Sequence, residues 1–140
     1  MKFREFLAFL FTLISIVIVV AALVIEYSGG VVVEESCEGY SLFLFPDQDK
    51  LDTEVGKGAL LRLRVINAGD FSDKYQVSLT GPEWAVIKPT SFNLKSEESR
   101  SLFLYVSPGF DAEGKYDLEV VVESKCVTES QRIEVGVLKK

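Results

Sequence analysis

Hydrophobicity changes its period once along this chain. Residues 6–25 are apolar throughout except for Thr12 and Ser15, and none is charged. At about 1.5 Å of rise per residue, a helix over this run spans the roughly 30 Å hydrocarbon layer of a bilayer. From residue 39 to 138 the period is two, with apolar and polar positions alternating between turn signals, which is the pattern of half-buried strands. The alternation predicts strands over residues 40–45, 59–66, 74–80, 84–87, 91–94, 101–107, 115–123 and 130–138. Leu61, Leu63 and Val65 fall on one face of the second of these, with Arg62 and Arg64 on the other. Tyr75, Val77 and Leu79 are expected inside, as are Leu118, Val120 and Val122, while Lys74, Asp117 and Glu119 face water. Pro46, Asn67-Ala68-Gly69-Asp70, Gly81-Pro82 and Pro108-Gly109 break the strands, as their backbone preferences require. The fold class that follows is all-β, an antiparallel β-sandwich of seven to eight strands preceded by one N-terminal transmembrane α-helix. The expected organisation is a cytoplasmic stub (1–5), the helix (6–25), a linker (26–38) and one extracytoplasmic domain (39–140).

Charge orients the helix. Lys2, Arg4 and the α-amino group precede it, against a single Glu5, and Glu26, Glu34, Glu35 and Glu38 follow with no basic residue before Lys50. Basic flanks stay on the cytoplasmic side, so the N-terminus reads as inside and the domain as outside, a single-pass protein of the cell membrane. A cleaved signal peptide is the competing reading, with Val20-Ala21-Ala22 as its small-residue site, but the apolar run continues through Leu23, Val24 and Ile25. About 110 residues remain after the helix, enough for one domain with a real core. From Val31 onward they carry 13 Lys+Arg and 19 Asp+Glu, a formal charge of −6. That excess argues against nucleic acid and against electrostatic binding to anionic lipid.

Composition removes most catalytic chemistry. There is no His anywhere, so the commonest general base and transition-metal ligand are both missing. No nucleophile motif of the Gly-x-Ser-x-Gly kind is present, and no enzyme activity, cofactor or metal is expected. The Asp47, Asp49, Asp52, Glu54 cluster lacks the oxygen and glycine spacing of a calcium loop and reads as a solvated turn. Cys37 and Cys126 are the only cysteines. In an exterior compartment two cysteines are expected to form one disulfide, and too few ligands remain for a structural zinc.

Gly114-Lys115-Tyr116-Asp117-Leu118 resembles the Gly-x-Tyr-x-Cys stretch that opens strand F of Ig-like domains, with Leu118 where the second Cys of an antibody domain stands. Val65-Ile66-Asn67-Ala68-Gly69, the Trp84 segment and the Ser96 to Leu102 stretch extend the resemblance. Together they look like prokaryotic surface Ig-like domains of the cell-adhesion-related and alpha-galactosidase-associated kinds. The resemblance covers residues 40–138 and implies an Ig-like sandwich with Tyr116 as its corner tyrosine and Trp84 in its core. It implies no activity. It also brings Cys37 and the 124–130 turn to one end of the domain, where a disulfide would tie the segment leaving the membrane to the last hairpin. That end, with the 67–73 turn, is then expected to face the membrane. The 46–57 and 107–114 loops and Lys139-Lys140 face away, and the domain reads as the outermost of its chain.

Candidate contacts are aromatic. Phe103 and Tyr105 share the outward face of their strand, where an interface and cover by an edge strand are both open. Phe110, after Pro108-Gly109, is the loop candidate. The function expected is a membrane-anchored, non-catalytic protein-binding or envelope-structural accessory, with a protein partner or self-association at the cell surface. Two alternatives are a subunit of a surface filament or motor (pilin-like or archaellum stator-like) and a module binding wall or S-layer glycans. The glycan reading requires Trp84 or Tyr105 to be exposed.

Overall fold

The structure is a computed structural model that describes residues 3–27 and 35–140, with side chains over 3–22 and 35–140. The chain divides into two units, Met1–Ser36 and Cys37–Lys140. The first contains helix α1 (Phe3–Tyr27), whose described side chains are exposed. By length and composition it can cross a membrane. It overruns the expected boundaries at both ends. Arg4 and Glu5 of the expected stub are helical, as are Glu26 and Tyr27 of the expected linker, because no Pro or Gly interrupts the chain before Gly29. Residues 28–34 of that linker lie outside the described residues.

The second unit is built from nine strands. These are β1 (Leu42–Pro46), β2 (Lys50–Glu54), β3 (Ala59–Asn67), β4 (Asp73–Thr80), β5 (Ala85–Lys88), β6 (Ser91–Leu94), β7 (Ser99–Val106), β8 (Gly114–Glu123) and β9 (Thr128–Leu138). They form a four-stranded sheet in the order β1-β3-β7-β5 and a five-stranded sheet in the order β2-β9-β8-β4-β6. Between the sheets lies an apolar core in which Leu63, Val65, Leu102, Leu104, Leu118, Val120, Ile133 and Val135 are fully buried. Each comes from the inward set of its strand, so the period-two pattern of the sequence is also the pattern of burial.

Two features depart from the sequence expectation. The 46–57 segment is not a loop. Lys50–Glu54 forms β2, an edge strand that pairs parallel with β9, Leu51 opposite Val135 and Thr53 opposite Val137. Its two inward positions, Leu51 and Thr53, are too few against Lys50, Asp52 and Glu54 for periodicity to reveal a strand, and it is stabilised by the partner already in place. The first stretch of the domain therefore contributes to both sheets, β1 to one and β2 to the other. The chain changes sheets again between β5, which pairs with β7, and β6, which pairs with β4, across the cis Lys88–Pro89 bond. Every other strand pair is antiparallel.

At one end of the sandwich the entering chain is tied to two turns. Cys37 and Cys126 are joined in a disulfide with their Cα atoms 5.2 Å apart. Asp70 N–H donates to Gly39 O at 2.8 Å, and Ala68 N–H to Ser41 O at 3.0 Å. Asn67 is the buried polar residue at the centre. Its amide donates to Phe71 O (2.8 Å) and Leu94 O (3.2 Å) and accepts from Gly69 N–H (3.0 Å), so each of its polar atoms is paired. Gly69 is required by close approach. A Cβ there would lie 2.6 Å from Gly39 O and 2.8 Å from Ser41 N, both backbone atoms that cannot move aside.

Candidate interaction surface

Outward positions of the four-stranded sheet are set by the same alternation that fills the core. Register then decides which of them meet. Leu60 of β3 and Val86 of β5 both stand opposite Tyr105 of β7, making one row across the sheet. In the next row Arg62 and Lys88 flank Phe103. Beyond it Arg64 sits between Phe45 and Ser101, and Phe43 stands opposite Ile66. Leu60, Val86, Tyr105, Phe43 and Phe45 are each 46–51% exposed, a concentration of large apolar groups on one face of the sandwich. The Phe43 and Phe45 rings lie 5.9 Å apart, tilted by 30°. Phe103 is half-buried between its two cationic neighbours. Shallow depressions flank Leu60, one lined by Asp47, Arg62 and Phe103 and the other by Gly58, Tyr105 and Ser107.

The charges on this face are all positive within the strands. Arg62 Nε donates to Asp47 Oδ2 at 2.9 Å, from just beyond the end of β1. Among the described residues neither Arg64 nor Lys88 has a carboxylate within salt-bridge distance. The outer face of the five-stranded sheet is its opposite in character. It carries Asp52, Glu54, Asp117, Glu119, Glu123 and Glu134 with interspersed Lys and Arg, and no aromatic side chain. There Lys57 lies 2.7 Å from Glu54, and its hydrogen bond and charge hold the Glu54 carboxyl below its ordinary range. Of the acidic residues in the 47–54 stretch, Asp52 and Glu54 lie in β2 and Asp47, Asp52 and Glu54 are in ion pairs, and no cluster of three or more potential metal ligands occurs among the described residues.

Of the sequence-selected contacts, Phe103 and Tyr105 belong to the aromatic face, Tyr105 exposed and Phe103 half-buried. Phe110 belongs instead to the loop after β7. It is 80% exposed, and its ring rests on Gly56, where a Cβ would come within 2.7 Å. Tyr116 and Trp84 are half-buried at the edge of the core rather than inside it. Tyr116 Oη donates to Ala112 O at 3.0 Å, four residues upstream, the bond that defines a corner tyrosine. Trp84 packs edge-on against it, ring centroids 4.9 Å apart at 89°. Phe43, Phe45, Leu60 and Val86 were not singled out in the sequence. The Phe-x-Phe spacing of β1 was the available signal for the first two; Leu60 and Val86 are ordinary strand residues until β7 lies between them.

No protein-family model matches the chain, and no curated protein sequence does. The solved structures supply the likeness. A family 123 glycoside hydrolase from Clostridium perfringens superposes with a TM-score of 0.62 at 9% identity, over 71% of this chain and 28% of that one. A FixG-related protein from Vibrio parahaemolyticus gives 0.54 at 11% identity over 71% of this chain and 97% of that one. The ASH/PapD-like domain 7 of human CEP192 gives 0.51 at 16% identity over 69% and 84%. The sandwich is an Ig-like fold. At these identities the likeness concerns fold alone, and the chain spans little more than a quarter of the hydrolase it matches.

Proposed function

We propose that this chain is a single-pass membrane protein, N-terminus inside, whose Ig-like sandwich stands outside the membrane as a non-catalytic accessory that binds other proteins or the envelope. We read the sandwich as one of the prokaryotic cell-surface kind. The observation that carries the binding role is the outer face of the β1-β3-β7-β5 sheet, where Phe43, Phe45, Leu60, Val86 and Tyr105 are held half-exposed by rigid strands. Exposed apolar groups gathered on one face mark an interaction site more often than a solvated surface. The apolar helix, the basic residues before it and the disulfide between Cys37 and Cys126 support the anchor and the exterior address. A sequence without His, on a fold whose acidic residues are spread over a sheet face, supports the non-catalytic reading.

The test is crosslinking of the full-length protein in intact cells, followed by detergent extraction and mass spectrometry. A partner or envelope component recovered in fixed ratio is the expected result. Recovery of the uncrosslinked chain alone, from membranes or from the soluble fraction, would overturn the reading.

A further inference from the structure

We infer that the outer face of the β1-β3-β7-β5 sheet docks a protein surface that is itself acidic and apolar. The inference rests on the accessory reading above and names its partner's chemistry. The argument begins with an asymmetry of charge. Cys37–Lys140 carries 13 Lys+Arg against 17 Asp+Glu, a net −4, yet the outward positions of these four strands hold Arg62, Arg64 and Lys88 and no carboxylate. Arg62 is compensated by Asp47; among the described residues Arg64 and Lys88 have no carboxylate within salt-bridge distance. Interfaces are enriched in Phe, Tyr and Arg and depleted in Asp, Glu and Lys, and apart from Lys88 the charged and aromatic residues of this face have that composition. Arg64 and Lys88, beside Phe45 and Phe103, complement carboxylates on a partner, while Phe43, Leu60, Val86 and Tyr105 supply the area to be dried.

Charge and shape also decide against other occupants. A second copy seated face to face would oppose cation with cation around Arg64 and Lys88. An anionic lipid surface would attract these two groups but repel a domain of net −4. A glycan calls for several Trp and Tyr platforms with hydrogen-bonding neighbours; here Tyr105 is the one such ring on the face, phenyl and aliphatic groups make up the rest, and Trp84 is taken up against Tyr116. Four strands about 4.8 Å apart, over rows reaching from Leu60 to Ile66, give roughly 400 Å² of face. That is about half the area one partner contributes to a standard interface, so the contact belongs to the transient class.

The experiment places a photoreactive benzoylphenylalanine at Tyr105 or Phe45 of the full-length protein in its own cells, with Lys115 on the opposite sheet as the control position. The expected result is one protein adduct from the Tyr105 and Phe45 positions and none from Lys115. The crosslinked peptide should be net negative, and the adduct should fall at least tenfold in an Arg64→Glu/Lys88→Glu variant whose unfolding midpoint is unchanged. An adduct with a second copy, a lipid, a glycan or a net-positive peptide would overturn the inference, as would an adduct insensitive to the charge reversal or no adduct at all. If whole-chain crosslinking still isolates a partner when the face positions give none, the accessory reading survives and the assignment of this face falls. If neither yields a partner, both fall.

Discussion

Replacing Asn67 by Ala tests whether the disulfide end of the domain is held by one polar hub. The side chain is 1% exposed and makes three hydrogen bonds, two donated to Phe71 O and Leu94 O and one accepted from Gly69 N–H. They join the end of β3 to its following turn and to the end of β6. Each such bond is worth about 1 kcal/mol net, and a buried group left unpaired costs about 1–3 kcal/mol. With partial relief from water entering at the sandwich end, the expected loss is about 3–4 kcal/mol, a large share of the 5–15 kcal/mol typical of a domain. Urea unfolding of residues 35–140 with the disulfide intact reads this as a lower midpoint at unchanged slope. Cys37–Lys140 within this segment has its own core and is a unit by itself. Asn93→Ala, at an exposed position of β6, is the control and should change stability by less than about 0.5 kcal/mol. Asn67→Asp keeps the acceptor for Gly69 N–H but turns a carboxylate toward two carbonyl oxygens. Its folded-state pKa is raised, so this variant should be weakest at neutral pH and recover as pH falls and the carboxyl becomes a donor. A loss below about 1 kcal/mol for Asn67→Ala would refute the hub, because the three carbonyl and amide groups would then be satisfied without the side chain.

Three further outcomes are expected. Gly69→Ala should destabilise the domain by about 1–3 kcal/mol or prevent folding, since the new methyl would meet Gly39 O and Ser41 N; an unchanged thermal midpoint would show that the two segments can part. Removing the disulfide in a Cys37→Ala/Cys126→Ala variant opens a loop of sequence separation 89 and should cost about 4–5 kcal/mol in the chain-entropy account, read by chemical denaturation against the oxidised protein. Burial, reinforced by the Asp73 carboxylate, pushes the Tyr75 phenol up to about 12. Its folded-state pKa lies above the unfolded value, so the stability it contributes is full below pH 10 and is lost as pH rises toward 12. Phenolate absorbance at 295 nm should show one late-titrating tyrosine, absent in Tyr75→Phe.

Much of the sandwich is legible in the sequence because one property, period-two alternation, both forms a strand and selects its buried face. Leu61, Leu63 and Val65 in β3 and Leu118, Val120 and Val122 in β8 are inward in the chain pattern and buried in the fold. The corner bond of Tyr116 follows from a local motif of five residues. Strand β2 escapes because it has too few apolar positions to declare itself and depends on a partner more than eighty residues away. Asn67 reads as a turn residue, and its burial depends on Leu94, which lies 27 positions along the chain. Alternation says which residues share a face of one strand and is silent on which strands lie side by side. The candidate surface falls in that silence. The chain by itself determined an apolar helix, a β domain, its core and its net charge. Only the pairing of β7 between β3 and β5, and of β1 beside β3, gathered Phe43, Phe45, Leu60, Val86 and Tyr105 around Arg64 and Lys88. The reason is that strand neighbours are chosen by long-range hydrogen bonding and packing, which no local period encodes.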